Sequence, residues 1–185
     1  MLPIVFSKPR RLDTESELYD AALRALMRRP HSVNEMQKLL KRRASSDLLA
    51  QVVLARLKEN GSLNDDRYAK QFTRQRTEIR RQGKFRIARD LRARGVPDTH
   101  IQSAIEESAD EAAERAAIRH RIDRKLKLTR GPKPGEMISD KKIASLYRSL
   151  LAAGFPSDAI RRELKSITTE EVPSVDQDSE SADSV

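Results

Sequence analysis

GSLNDDRYAKQFTRQRTEIRRQGKFRIARDLRARG, residues 61 to 95, holds the reasons for two helices and for the charge they carry. Asn60-Gly61 stops the helix before it, because glycine takes a left-handed closing turn at no steric cost. Asn64 or Asp65 starts a long helix that the spacing extends to about Arg81, where Gly83 breaks it. A short helix from Phe85 to Arg94 then ends at Gly95. Two apolar stripes run through the stretch, Tyr68, Phe72 and Ile79, then Ile87, Ala88 and Leu91. From Phe72 to Arg94 there are nine Lys or Arg and two acids, Glu78 and Asp90. A segment that keeps a core face and loads the other with one sign of charge is suited to a polyanion or an acidic groove.

Outward from this stretch, nearly every segment reads as helix. Toward the N-terminus, Glu15 to Arg28 puts Leu18, Ala22, Leu23 and Leu26 on one face, and Pro30 ends it. Ser32 with Glu35 three residues later has capping-box spacing, ahead of Val33, Met36, Leu39 and Leu40. Ser45 or Ser46 caps a third helix with Leu48, Leu49, Val52, Val53 and Leu57 at helical spacing. Toward the C-terminus, Pro97 and Asp98 open a helix with Ile101, Ala104 and Ile105 inward. Ala112, Ala113, Ala116, Ala117 and Leu126 belong to an Ala-rich helix that starts near Asp110, and a Gly/Pro loop at 131–135 follows. Asp140 to Ala153 carries Ile143, Leu146, Tyr147, Leu150 and Leu151, and Ser157 to Ile167 carries Ile160 and Leu164.

The pattern repeats. Leu91, Gly95, Pro97, Ile101 and Ile105 recur as Leu150, Gly154, Pro156, Ile160 and Leu164, each offset by 59. The first round matches loosely, with Ala44 where the others have glycine, so its second and third helices are expected to cross differently. Strand alternation and hairpin dipeptides are lacking. The fold expected is all-α, three tandem three-helix repeats in an elongated curved rod, since units this small bury little alone and pack on neighbours. The expected divisions are a flexible N-terminal arm at 1–14, repeats at 15–62, 63–108 and 109–167, and a disordered acidic tail at 168–185.

Composition agrees with small cores. Of 185 residues, 37% are hydrophobic and 35% charged, more charge than an ordinary globular domain carries. The absence of Cys removes disulfides and thiolate chemistry and fits a reducing compartment. His31, His100 and His120 are scattered too widely for a His-based metal site. No apolar run nears the roughly 20 residues of a membrane span, and the start does not read as a signal peptide, so a cytoplasmic location is expected. The net charge is +9, but the last nineteen residues hold six acids and no Lys or Arg, leaving the rest of the chain at +15. Such a body binds anions unless restrained, and the tail could screen it.

No catalytic constellation is present, and neither an enzyme activity nor a cofactor is expected. Gly131-Pro132-Lys133-Pro134-Gly135 is no phosphate loop, since its prolines remove the amides a phosphate needs. Asp65 and Asp66 are consecutive on a helix, do not face each other, and read as capping carboxylates at a helix start. Three basic clusters remain: Arg24, Arg28, Arg29, Lys38, Lys41, Arg42 and Arg43; then Arg74, Arg76, Arg80, Arg81, Lys84, Arg86, Arg89, Arg92 and Arg94; then Arg115, Arg119, Arg121, Arg124, Lys125, Lys127, Arg130 and Lys133. One cluster per repeat would make a basic strip. With three Tyr, four Phe and no Trp, most of them in apolar stripes, base stacking is weakly supported, and backbone contact or an acidic protein groove fits better.

The stretch Gly61-x-Leu63-x-Asp65-Asp66-Arg67-Tyr68-Ala69, followed by Phe72, Arg76, Gly83, Ile87, Leu91 and Gly95, resembles the RecX family of bacterial recombination regulators. Leu150, Gly154-Phe155, Ile160 and Leu164 look like that family's C-terminal signature, and Ala22, Leu26, Val53, Leu54 and Leu57 also fit. The resemblance spans roughly residues 17 to 167. It implies a monomeric modulator without its own chemistry, acting in DNA repair, recombination and the SOS response. Such proteins bind the RecA recombinase and its DNA filament and lower strand exchange, ATP hydrolysis and co-protease activity. Arg74, Arg76, Arg80, Arg81, Lys84, Arg86, Arg89, Arg119, Arg124 and Lys125 are the expected contacts. Asp65, Asp66, Tyr68, Ala69, Phe72, Gly83, Ile87, Leu91, Gly95, Gly154 and Phe155 are the expected structural motif. The alternatives are a stand-alone DNA- or RNA-binding protein and a helical adaptor for another acidic protein.

Overall fold

The computed structural model describes residues 11–128 and 138–169. Among them are α1 (Glu15–Arg28), α2 (Val33–Arg43), α3 (Asp47–Glu59), α4 (Asp65–Glu78), α5 (Lys84–Ala93), α6 (Asp98–Glu107), α7 (Glu111–Leu128), α8 (Asp140–Ala152) and α9 (Ser157–Thr169). The Gly/Pro loop at 131–135 and the acidic residues from Glu170 onward lie outside the described residues, while Thr168 and Thr169 still belong to α9. The fold is all-α helical repeat, and the one extended pairing among the described residues is an isolated bridge between Leu12 and Ala44.

Each successive triplet closes its own core. Leu18, Ala22, Met36, Leu40, Val53 and Leu57 fill the first, and Tyr68, Phe72, Ile87, Leu91, Ile101 and Ala104 the second. Ile118, Ile122, Leu146, Leu150, Phe155, Ile160 and Leu164 fill the third. Four large side chains on the expected apolar stripes face water instead: Leu48 is 71% exposed, Ile79 75%, and Val52 and Leu151 42% each. In α3 the inward stripe is Ala50, Val53 and Leu57, so a small residue took the place assigned to larger ones. The chain divides into two compact units between Asp110 and Glu111, the first holding α1 to α6 and the second α7 to α9.

The turns that end α5 and α8 are the same device. Gly95 and Gly154 have φ of +74° and +90°. The amide after each reaches back to a leucine carbonyl, Val96 to Leu91 at 3.2 Å and Phe155 to Leu150 at 3.3 Å. That bond satisfies carbonyls a helix end would leave orphaned. In the first repeat Ala44 cannot turn left-handed cheaply, and its φ is −71° with an extended ψ of 149°. The chain before α1 completes this end: the Leu12 amide donates to the Arg43 carbonyl at 2.7 Å, and the Ser45 amide to the Leu12 carbonyl at 2.9 Å. The end of the expected flexible arm is thus tied to the exit of α2.

Within the first unit, the start of α2 docks on the end of α5. Ser32 caps α2, accepting from the Glu35 amide at 3.1 Å while its own amide donates to Glu35 Oε2 at 3.3 Å. Its hydroxyl donates to the Arg94 carbonyl at 2.7 Å, as does the Asn34 amide group at 3.3 Å. The Val33 amide donates to Asp65 Oδ1 at 2.9 Å. Asp65 was expected to cap its own helix; there Asn64 accepts the Arg67 amide at 2.9 Å, and Asp65 serves the helix of the preceding repeat. Glu35 also meets Arg29 at 3.1 Å and Arg94 at 3.5 Å. Burial opposes ionisation of Glu35, but the bonds from Arg29 and the Ser32 amide, with the Arg29 and Arg94 charges, hold its carboxyl below the usual range.

Gly95 is needed here twice. Beyond its positive φ, a Cβ added to it would stand 2.6 Å from Asn34 Cβ. Gly61, with φ +69°, has open space around it. We therefore expect Gly95→Ala to lower unfolding stability by about 3 kcal/mol and Gly61→Ala by about 1 kcal/mol, read from urea titrations followed by circular dichroism. Because the folded pKa of Glu35 is depressed, its contribution is present above the unfolded value of 4.5 and is lost as pH falls through the folded value. Glu35→Gln should be less stable than the parent at pH 7, with the gap closing in the same titration below pH 4.5.

Candidate functional site

The second basic cluster occupies the outer side of α4, the α4–α5 turn and α5. Arg74 is exposed and pairs with Glu78 at 3.0 Å. Arg80, Arg81, Lys84 and Arg89 are exposed, while Arg76 and Arg86 are half-buried. Arg76 lies 4.7 Å from the centre of the Phe72 ring, and Arg94 lies 5.1 Å from it. Burial, and next the Arg80 charge, lowers the pKa of Arg76, with Asp90 opposing. Arg92 is held by Asp98 at 2.6 Å. The side chains presented outward are therefore Arg74, Arg80, Arg81, Lys84 and Arg89, while Arg76 and Arg94 lie against the Phe72 ring.

The turn was expected to break at Gly83, but the left-handed residue is Arg81, with φ +47°. The Gln82 amide closes the helix end by donating to the Arg76 carbonyl at 3.1 Å, so α4 stops at Glu78, short of the expected Arg81. Gly83 has an ordinary φ of −78° and serves as the N-cap of α5 without a side-chain bond. Every other described helix carries Asp or Glu in its first turn. α5 has none there, and begins with Lys84 and Arg86. Cations at a helix N-terminus add to the positive end of its dipole rather than offset it. The result is a concentrated positive potential whose neutral complement is an anion.

The candidates in the second unit divide differently. Arg119 donates to Glu163 at 2.6 Å, and Arg115 pairs with the same carboxylate at 3.0 Å. Glu163 is only 6% exposed, and sequence gave no sign of it, because its partners lie on another helix. Lys125 donates to the Ser145 carbonyl at 2.8 Å. Arg124 is exposed. The motif residues sit as a scaffold: Tyr68, Ala69, Phe72, Ile87, Leu91 and Phe155 are buried, and Asp66 pairs with Lys70 at 3.4 Å. Sequence reasoning missed the exposure of Ile79 and Phe85 on the basic face, since helical spacing alone is compatible with a core place for each.

Comparison with known proteins agrees with this scaffold. Residues 64–105 match the family model described as RecX, second three-helix domain. A regulatory protein RecX of Halorhodospira halophila is 43% identical over 103 residues, 55% of this chain and 63% of that relative, so the chain spans less than two thirds of its length. Those of Prosthecochloris aestuarii and Pseudomonas putida strain KT2440 are 32% and 34% identical, over 76% and 83% of this chain and 87% and 92% of theirs. The crystal structure of RecX from Lactobacillus salivarius superposes with a TM-score of 0.71 at 18% identity, covering 83% of this chain and 96% of that one, a likeness of fold.

A left-handed arginine costs about 1 kcal/mol that glycine would not. Arg81→Gly should therefore stabilise the protein by about that much in urea while weakening its binding to polyanions in a heparin-column elution. That opposite movement would mark Arg81 as retained for its charge.

Proposed function

The chain belongs to the RecX family of regulatory proteins, and from that premise we propose that it binds the RecA recombinase and its filament on single-stranded DNA and lowers recombinase, ATPase and co-protease activity. It acts by binding, as a cytoplasmic monomer without chemistry of its own, in recombination, repair and the SOS response. The observation that supports the reading most is the face of Arg74, Arg80, Arg81, Lys84 and Arg89 around the uncapped start of α5. A nucleoprotein filament offers it phosphates and acidic protein surface together, and steering by such a field speeds encounter. Among the described residues no helix is long and apolar enough to cross a membrane.

The test is RecA ATP hydrolysis on single-stranded DNA with this protein titrated in. Inhibition well below one molecule per RecA is expected, since a regulator of the filament need not cover the DNA. The triple variant Arg74→Glu, Arg80→Glu, Lys84→Glu should need at least about tenfold more protein for the same effect with helicity unchanged. Arg76 and Arg86 are left intact because both are half-buried. Inhibition by the parent only at DNA-saturating levels would favour a stand-alone nucleic-acid binder instead.

A further inference from the structure

Two large apolar side chains stand in water on the basic face. Ile79, which follows α4, is 75% exposed, and Phe85, in the first turn of α5, is 60% exposed. Between them lie Arg80, Arg81 and Lys84, and from Ile79 through Arg89 there is no acid. The core beneath is complete without either, built on Tyr68, Phe72, Ile87, Ala88 and Leu91. Lys84 Nζ approaches the Phe85 ring only to 5.8 Å of its centre, at the edge of useful cation–π distance. Arg89 follows Phe85 by four residues, so the two share a helix face.

An exposed aromatic plate with cations on either side calls for a partner that offers flat apolar surface and negative charge in the same small unit. A protein groove would need an apolar socket for the ring set inside the acidic lining its neighbours demand. A duplex gives the charge but keeps its bases stacked on each other. A single strand offers an unstacked base and a phosphate with every nucleotide. Resting on the polyanion reading of this face and deepening it, we propose that Phe85 is a stacking post for a base of a single-stranded nucleic acid, with Arg80, Arg81, Lys84 and Arg89 holding the flanking phosphates. Ile79 extends the apolar surface on the other side of the turn.

The experiment is anisotropy of a labelled oligo-dT with the full chain across a salt series, with no RecA present. Phe85→Ala should weaken binding about tenfold without changing the slope of log affinity against log salt, because it removes stacking and no charge. Phe85→Trp should restore binding, and Phe85→Leu, apolar but not flat, should not. Lys84→Ala should instead reduce the slope by about one. An oligonucleotide carrying 2-aminopurine should lose fluorescence on the parent protein and keep more of it on Phe85→Ala. Unchanged oligonucleotide affinity in Phe85→Ala overturns the proposal, and if that variant also loses RecA inhibition the ring is a protein anchor. Because this assay holds no RecA, its failure is separate from failure of the RecA reading, which the ATP hydrolysis titration decides alone.

Discussion

A helix end placed inside a protein must find partners for the amides or carbonyls it cannot pair itself, and the first unit depends on two ends that satisfy one another. The start of α2 gives a hydroxyl and a side-chain amide to the Arg94 carbonyl at the end of α5, and Asp65 of α4 takes the Val33 amide. The positive end of one helix dipole meets the negative end of another. Such an approach is open only to a residue without a Cβ, which is the reason for Gly95. Arg94 also lies over the Phe72 ring, as Arg76 does, so the joint reaches the core of the second repeat.

Much of this was legible in the sequence, for local reasons. Helix ends are written in residues such as Ser32 with Glu35, Pro97, Gly95 and Gly154, whose capping and turning roles are set within a few positions along the chain. The offset of 59 between the second and third repeats marked equivalent turns, and Gly95 and Gly154 take equivalent conformations. What sequence did not disclose is whatever depends on a distant partner. Asp65 looked like a cap and is one, but for a helix 32 residues earlier. Arg119 looked like a free surface charge, while Glu163 claims it from 44 residues away. Arg81 looked like helix because a bonded left-handed arginine has no compositional signature.

Several departures from good local design coincide at one turn, although Met27, Leu48 and Leu128 are also exposed elsewhere. A left-handed arginine, an uncapped helix start with cations in its first turn, and two exposed apolar side chains fall between Ile79 and Phe85. Elsewhere in the described chain helices begin with acids, and aromatic rings such as Phe72 and Phe155 are buried. Proteins relax such rules where something other than stability is being served. In the third repeat, by contrast, Arg115 and Arg119 converge on the buried Glu163, and Lys125 donates to the Ser145 carbonyl.

The joint between α2 and α5 also bears on the order of events in folding. Its hydrogen bonds to Arg94 join residues 62 and 60 positions apart, whereas each three-helix core closes over a shorter span of chain. Contacts that close longer loops form later, after local structure has shortened the effective distance. Interactions absent from the rate-limiting step set how slowly a protein comes apart rather than how fast it assembles. The joint then works as a latch between triplets that each close a core of their own, held at the Arg94 carbonyl by Ser32 and Asn34 and at the Val33 amide by Asp65.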